Sequence, residues 1–187
     1  MPEFQDFDAI PWINSHLNGA ANLDFEQLKP ILCFALLWNM FESKACDKNA
    51  NQHSIIKSVQ DADGFGLLKI ERYEPILNFF KHRYVTFNTI NDNFLGLQLT
   101  NQAAKKIVND VLIENYFDLN NVVSALLLIT HRIRNNLFHG NKNVESLPNQ
   151  TDLFVMINFL LSRYLEDIVD MTSQGRQRNV RRQRSGT

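Results

Sequence analysis

The segment His131-Arg132-Ile133-Arg134-Asn135-Asn136-Leu137-Phe138-His139-Gly140-Asn141-Lys142 gathers chemically useful polar side chains at the end of an apolar run. An arginine guanidinium is permanently charged and presents a planar fork of donors that matches a phosphate. A histidine imidazole takes up or releases a proton near neutrality. An asparagine amide can orient either group or hold a ribose hydroxyl. Arg134, Asn135 and His139 would together suffice for RNA cleavage without a metal. The ribose 2′-OH would attack the adjacent phosphorus while His139 assists proton transfer and Arg134 stabilises the charge building on the phosphoryl oxygens. Asn136 and Lys142 are candidate RNA contacts, Lys142 through a phosphate. His131 and Glu42 are candidate supports, Glu42 by pairing with Arg134 from another helix. No carboxylate cluster accompanies the segment, which argues against a magnesium-dependent nuclease. His16, His53 and His82 show no metal-ligand spacing with each other or with Cys33 and Cys46, so neither metal nor cofactor is expected. Plainer uses compete: Arg and His near a helix end complement its dipole, and a loop Lys or a surface Glu is ordinarily just solvated.

Positioning these groups requires a helix. Val122, Leu126, Ile129, Ile133 and Leu137 recur at steps of three and four and predict a core-facing stripe. That helix is expected to open at Asn120 or Asn121 and run to about His139, with Gly140 where helices often stop. A neighbouring stripe, Val123, Leu127, Thr130, Arg134 and Phe138, begins apolar and ends with the cation beside an aromatic. A third, Ser124, Leu128, His131, Asn135 and His139, ends polar. Arg134 and His139 are five residues apart, about 140° around an ideal helix, so one straight helix does not aim both at one atom. A loosened final turn before Gly140, or a second chain supplying a partner cluster, would resolve this, and both stay open.

The rest of the chain reads as further helices. Asp24 with Gln27 resembles a capping box, and Ile31, Phe34, Trp38, Phe41 and Ala45 then mark one helical face. A short helix is expected around Ser54–Gln60, and another along Tyr73, Leu77, Phe80 and Tyr84. Residues 86–98 read mostly as loop. Thr100 is placed to cap a helix with the stripe Ala104, Val108, Val111 and Leu112. Pro148 and Thr151 start the last helix, carried by Leu153, Ile157, Leu160, Tyr164 and Ile168. The fold class is therefore all-α, a compact bundle of five or six helices. Trp12 and Trp38 read as core rather than as stacking platforms.

Three segments follow: an irregular N-terminal arm over 1–24, a helical domain over 25–172 and a basic, disordered tail over 173–187. The chain has 187 residues, 44% hydrophobic and 21% charged, an ordinary globular composition for one domain. Net charge is −1, yet Arg176, Arg178, Arg181, Arg182 and Arg184 crowd the tail, leaving −6 on the remainder. A basic tail on an acidic body can hold a polyanion or simply be a solvated end. Two cysteines are too few for a disulfide framework and fit a reducing setting. No signal peptide is recognised, and the longest apolar stretch, Ile31 to Met40, is too short to span a bilayer. A cytoplasmic protein without membrane contact is expected. No basic recognition helix of a DNA-binding helix-turn-helix is found.

The run Arg134-Asn135-Asn136-Leu137-Phe138-His139-Gly140-Asn141-Lys142 resembles the signature of the HEPN superfamily, an Arg followed by a polar residue and, four to six positions on, a His. The placement of the run late in a long apolar helix agrees, and the resemblance extends more loosely over residues 25–171. It implies a four- to five-helix bundle that dimerises to bring two motifs into one cleft. It further implies a metal-independent endoribonuclease in a toxin–antitoxin or antiviral defence setting, with RNA as substrate and Arg134, Asn135 and His139 as catalytic residues. An antitoxin or nucleotidyltransferase partner belongs to the same expectation. The alternative within the family is a catalytically inactive helical module that dimerises or binds RNA or a partner protein.

Overall fold

The helix α7, Leu119–Phe138, is buried along the whole stretch Val122–Thr130, so it has no solvent side there and must lie in the middle of the protein. The helices α3 (Gln52–Gly64), α4 (Ile70–Tyr84) and α6 (Gln102–Ile113) pack against it. The helix α2 (Phe25–Ala45) lies along α8 (Thr151–Arg184). Phe34 meets Phe154 at 5.5 Å and Phe41 meets Tyr164 at 5.8 Å between ring centres, so the two run in the same sense. This computed structural model describes residues 8–16, 23–114, 118–139 and 146–184, with side chains up to Val169. The protein is mostly helical, and its core is one continuous cluster of aliphatic and aromatic residues drawn from every long helix.

Six of the eight described helices are those the periodicity predicts; the other two are short and held from outside. Helix α1, Ala9–His16, lies in the expected irregular arm. The Asp8 carboxylate accepts the Ile10 N–H at 3.0 Å, and Asn14 exchanges two hydrogen bonds with the Leu23 backbone, at 3.0 and 2.8 Å. Two turns held by such contacts need no sustained hydrophobic period, which is why the sequence hides them. Residues 1–7 and 17–22 of the arm lie outside the described residues. The expected loop over 86–98 instead contains a hairpin, β1 (Val85–Thr86) with β2 (Thr89–Ile90), and the single-turn helix α5, Asp92–Leu95. Strands of two residues are too short to alternate visibly. Phe87 and Asn88 turn the hairpin at φ 50° and 60°.

The caps differ in detail. Asp24 precedes α2 without a side-chain capping bond, so the expected capping box does not form. Asn101, not Thr100, caps α6 by accepting the Ala104 N–H at 3.0 Å. Helix α7 begins ahead of Asn120, after Asp118. Helix α3 starts two residues early because Asn51 and Ser54 cap each other's backbone reciprocally. Helix α8 runs on to Arg184, into the basic tail. Its Gln and Arg residues are good helix formers, and no proline interrupts them. Residues 185–187 lie outside the described residues. No helix among the described residues is long and apolar enough to cross a membrane.

A polar lock joins α4 to α8. The Tyr73 hydroxyl donates to the buried Asp167 carboxylate. Arg72 Nε lies 3.1 Å from Asp167 Oδ1, and its Nη2 donates to Glu166 at 2.7 Å. Burial, reinforced by Asp167, pushes the Tyr73 hydroxyl well above its ordinary range, so it remains a donor. One turn away, Tyr164 and Ser58 share a hydrogen bond of 2.6 Å between α8 and α3.

Candidate functional site

The last two turns of α7 emerge from the core. Ile133 and Asn136 stay buried, Arg134 and Asn135 are half-buried, and Phe138 and His139 are exposed. The rotation of 100° per residue carries successive side chains from interior to surface once neighbouring helices end.

The Arg134 guanidinium rests between two aromatic faces, 6.0 Å from the Trp38 ring centre on α2 and 5.4 Å from that of Phe138 one turn on. Its Nη1 donates to Asn135 Oδ1 at 3.2 Å, while its Nε is buried without a hydrogen-bond partner. Asn135 in turn donates through Nδ2 to His131 Nε2 at 3.3 Å, which makes that ring nitrogen an acceptor. The His131 ring stacks on Trp38 at 5.8 Å between ring centres, with the Ala50 backbone beside it. Burial pulls the His131 imidazole below its ordinary value and the Arg134 cation pulls the same way, against an opposing pull from Glu42. A neutral His131 therefore orients Asn135, and Asn135 orients Arg134. The sequence stripes place both i, i+4 pairs, His131 with Asn135 and Arg134 with Phe138; only packing brings Trp38 beneath them.

The support expected from Glu42 takes another form. Its carboxylate accepts the Ala50 N–H at 3.1 Å, and no ion pair joins it to Arg134. Ala50 lies in the connection between α2 and α3, and Glu42 in the last turn of α2 satisfies its N–H instead. Glu42 thus steadies the backbone beside His131. No described carboxylate forms an ion pair with Arg134.

Asn136 is not the open RNA contact expected of it. It is buried and its Nδ2 donates to the Leu97 carbonyl at 3.2 Å, because a central helix turns that position inward. Arg132 Nε donates to the same carbonyl at 2.6 Å. Arg132, Trp38 and the Leu97 carbonyl are the participants that sequence reasoning misses, since contacts spanning 35 residues or more leave no local signal. Trp38 is core, as expected, yet it is also the surface on which Arg134 and His131 rest.

His139 closes α7 at φ −98° and ψ 16°, with its N–H still donating to Asn135 O at 3.0 Å. Its ring is exposed, and among the described residues no hydrogen bond or ring contact joins it to Arg134. Gly140 and Lys142 lie outside the described residues. A cavity of about 160 Å³ opens beside the cluster, lined in part by Gln52, Thr100, His131, Arg132 and Asn135.

No family model, curated protein or solved structure matches this chain. Among the described residues no group of three or more His, Cys, Asp and Glu is placed to hold a metal ion. What the cluster offers is a partly desolvated cation held in orientation by a two-step relay, with an exposed imidazole at the end of the same helix.

Proposed function

We propose that this protein is a metal-independent endoribonuclease of the HEPN type, working as a homodimer in a toxin–antitoxin or antiviral setting. The observation that carries the reading is Arg134: half-buried, oriented by Asn135, and unpaired with any described carboxylate. A guanidinium that has lost part of its water without gaining a counter-ion favours an incoming anion, and a phosphodiester fits its fork. The exposed ring of His139 stands at the end of the same helix, where the strand is accessible.

The reaction needs two proton transfers. A base takes the proton of the ribose 2′-OH as that oxygen attacks phosphorus. The bond from phosphorus to the 5′-oxygen breaks, and an acid protonates the leaving oxygen. The products are a 2′,3′-cyclic phosphate and a 5′-hydroxyl. One imidazole cannot be base and acid in the same step, and two copies of the chain supply two. The angular separation of Arg134 and His139 favours the same arrangement, with the cation of one copy serving the imidazole of the other. Incubating the full chain with mixed RNA in EDTA should yield cyclic-phosphate ends, and His139→Ala should abolish them. Cleavage that vanishes in EDTA yet survives His139→Ala would sink the reading.

One observation favours the second reading, a non-catalytic helical interaction module. Leu32, Leu36 and Met40 form an exposed stripe along α2 at steps of four, 50%, 70% and 50% exposed. Such a stripe suits a helix that docks on another surface. If Leu36→Lys changes the sedimentation of the protein while RNA stays intact under every condition, that reading holds instead.

A further inference from the structure

The cavity of about 160 Å³ beside the motif carries charge of one sign only. Its described lining holds the Arg132 guanidinium, the Gln52 and Asn135 amides, the Thr100 hydroxyl and the His131 ring, and no Asp or Glu. The remainder of the wall is aliphatic. Arg132 uses one donor inside the protein, Nε on the Leu97 carbonyl at 2.6 Å, and that bond fixes the guanidinium in place. Its two Nη nitrogens have no partner and are not among the buried unsatisfied atoms, so both are accessible. No described carboxylate forms an ion pair with Arg132. Two helices begin at the rim, α3 with Gln52 and α6 after Thr100 and its cap Asn101, and the positive ends of their dipoles add to the guanidinium. A fixed cation with a free fork of donors, in a recess without a carboxylate, is complementary to an anion that offers paired oxygens.

Size and position narrow the choice. A water molecule occupies about 30 Å³ of the liquid, so the recess has room for a tetrahedral anion with a few waters and not for a nucleoside. Arg132, Asn135 and His139 follow one another at steps of three and four, so they share one face of α7 and its cap. Asn135 and His139 are about 6 Å apart along the helix axis. The recess thus stands at one end of a short track whose other end is the exposed His139 ring. We infer that it holds a backbone phosphate of the RNA strand, next to the linkage at which His139 acts. The inference rests on the ribonuclease reading in one respect, that the anion belongs to an RNA strand. The Arg132 Nη groups would donate to the two non-bridging oxygens, with Gln52 and Thr100 as further donors. A phosphate is the same in every nucleotide, so the recess fixes the position of the strand on the helix without choosing a base. Arg134, about 200° round the helix from Arg132, is left free for the linkage being cut.

The test measures binding of an RNA hexanucleotide to the full chain carrying His139→Ala, in EDTA and across a salt series, with inorganic phosphate as competitor. Arg132→Gln keeps a donor for the Leu97 carbonyl and removes the charge. It should weaken binding about threefold to tenfold whatever the sequence, and flatten the slope of log affinity against log salt by about 0.7. Gln52→Glu is a second variant, nearly isosteric, that puts a carboxylate into the recess. An acid in the first turn of α3 favours that helix, so the melting temperature should hold or rise while binding weakens by a similar factor. Phosphate should compete with the RNA in the parent protein and in neither variant. Affinities and slopes that neither variant alters overturn the proposal. An equal loss with Asn78→Asp, an exposed position of α4 outside the recess, reduces the effect to net charge and overturns it as well. Phosphate bound through Arg132 while the hexanucleotide ignores both variants also overturns it, and assigns the recess to a free phosphate ligand. Binding that depends on both residues in a protein whose wild type cuts no RNA leaves the recess standing and removes the ribonuclease. Cleavage by wild type with both variants binding normally does the reverse.

Discussion

Two arginines of similar setting, Arg72 on α4 and Arg134 on α7, face opposite company. Arg72, with a side chain 31% exposed, has Asp167 on one side and Glu166 on the other, and Asp167 in turn accepts from Tyr73. Every group in that cluster is balanced within the protein, and its product is the docking of α8 on α4. Arg134 is also half-buried but is held by two aromatic faces and an amide oxygen. Its charge has no internal answer among the described carboxylates. A balanced cluster holds a fold together; an unbalanced one that the fold nevertheless orients is available to a ligand. The difference between the two arginines is what separates stability from function in this molecule.

The largest effect should come from the unbalanced side. Replacing Arg134 with Ala is expected to lower RNA cleavage in EDTA at least about a hundredfold. Stability should fall by only about 1 kcal/mol, since two exposed-to-half-buried cation–π contacts contribute about 0.5 kcal/mol each. An Arg134→Ala protein that unfolds as readily as an Arg72 variant would erase the distinction. The balanced side comes next. Arg72→Met leaves the buried Asp167 carboxylate without its cation and should cost about 2 kcal/mol, reduced from the fully buried case because the arginine is part exposed. Cleavage by the folded fraction should be unchanged, which urea denaturation and an activity assay read separately. Tyr73→Phe removes one hydrogen bond to a charged group and should cost about 1.5 kcal/mol, or several degrees in melting temperature. An unaltered melt would show that Asp167 finds another donor.

The smallest effect concerns His131. Its folded value lies below the ordinary 6.5, so as pH falls the unfolded chain takes up this proton first. Stability contributed by neutral His131 is therefore present above that value and is lost as pH drops below it. Denaturation curves of wild type and His131→Gln should diverge at neutral pH and converge in mild acid. Parallel curves across that range would remove His131 from the orienting relay.

Much of the fold is legible in the sequence because long helices advertise themselves. The stripes through Phe34, Trp38 and Phe41, through Tyr73, Leu77 and Phe80, and through Val122, Leu126 and Ile129 each recur at the helical period, and each is buried. Helix α1, the hairpin and α5 are not legible, since each is short and is held by flanking residues such as Asp8, Leu23 and Asn91 rather than by a hydrophobic period of its own. Within the site, the neighbours one helical turn apart can be read directly: His131 with Asn135, Arg134 with Phe138. Glu42 shows the limit, because its choice between Arg134 and the Ala50 amide depends on which donor the turn leaves closer.

The sequence by itself determined that six long helices form and that one of them ends in Arg134, Asn135 and His139, since helical period and side-chain chemistry are local properties. Only the tertiary structure decided that Trp38 lies under Arg134 and His131, that Asn136 turns inward to Leu97, and that no described carboxylate neutralises Arg134. Those facts depend on which helices meet, and contacts between residues far apart in the chain are set by the packing of the whole core rather than by any one segment.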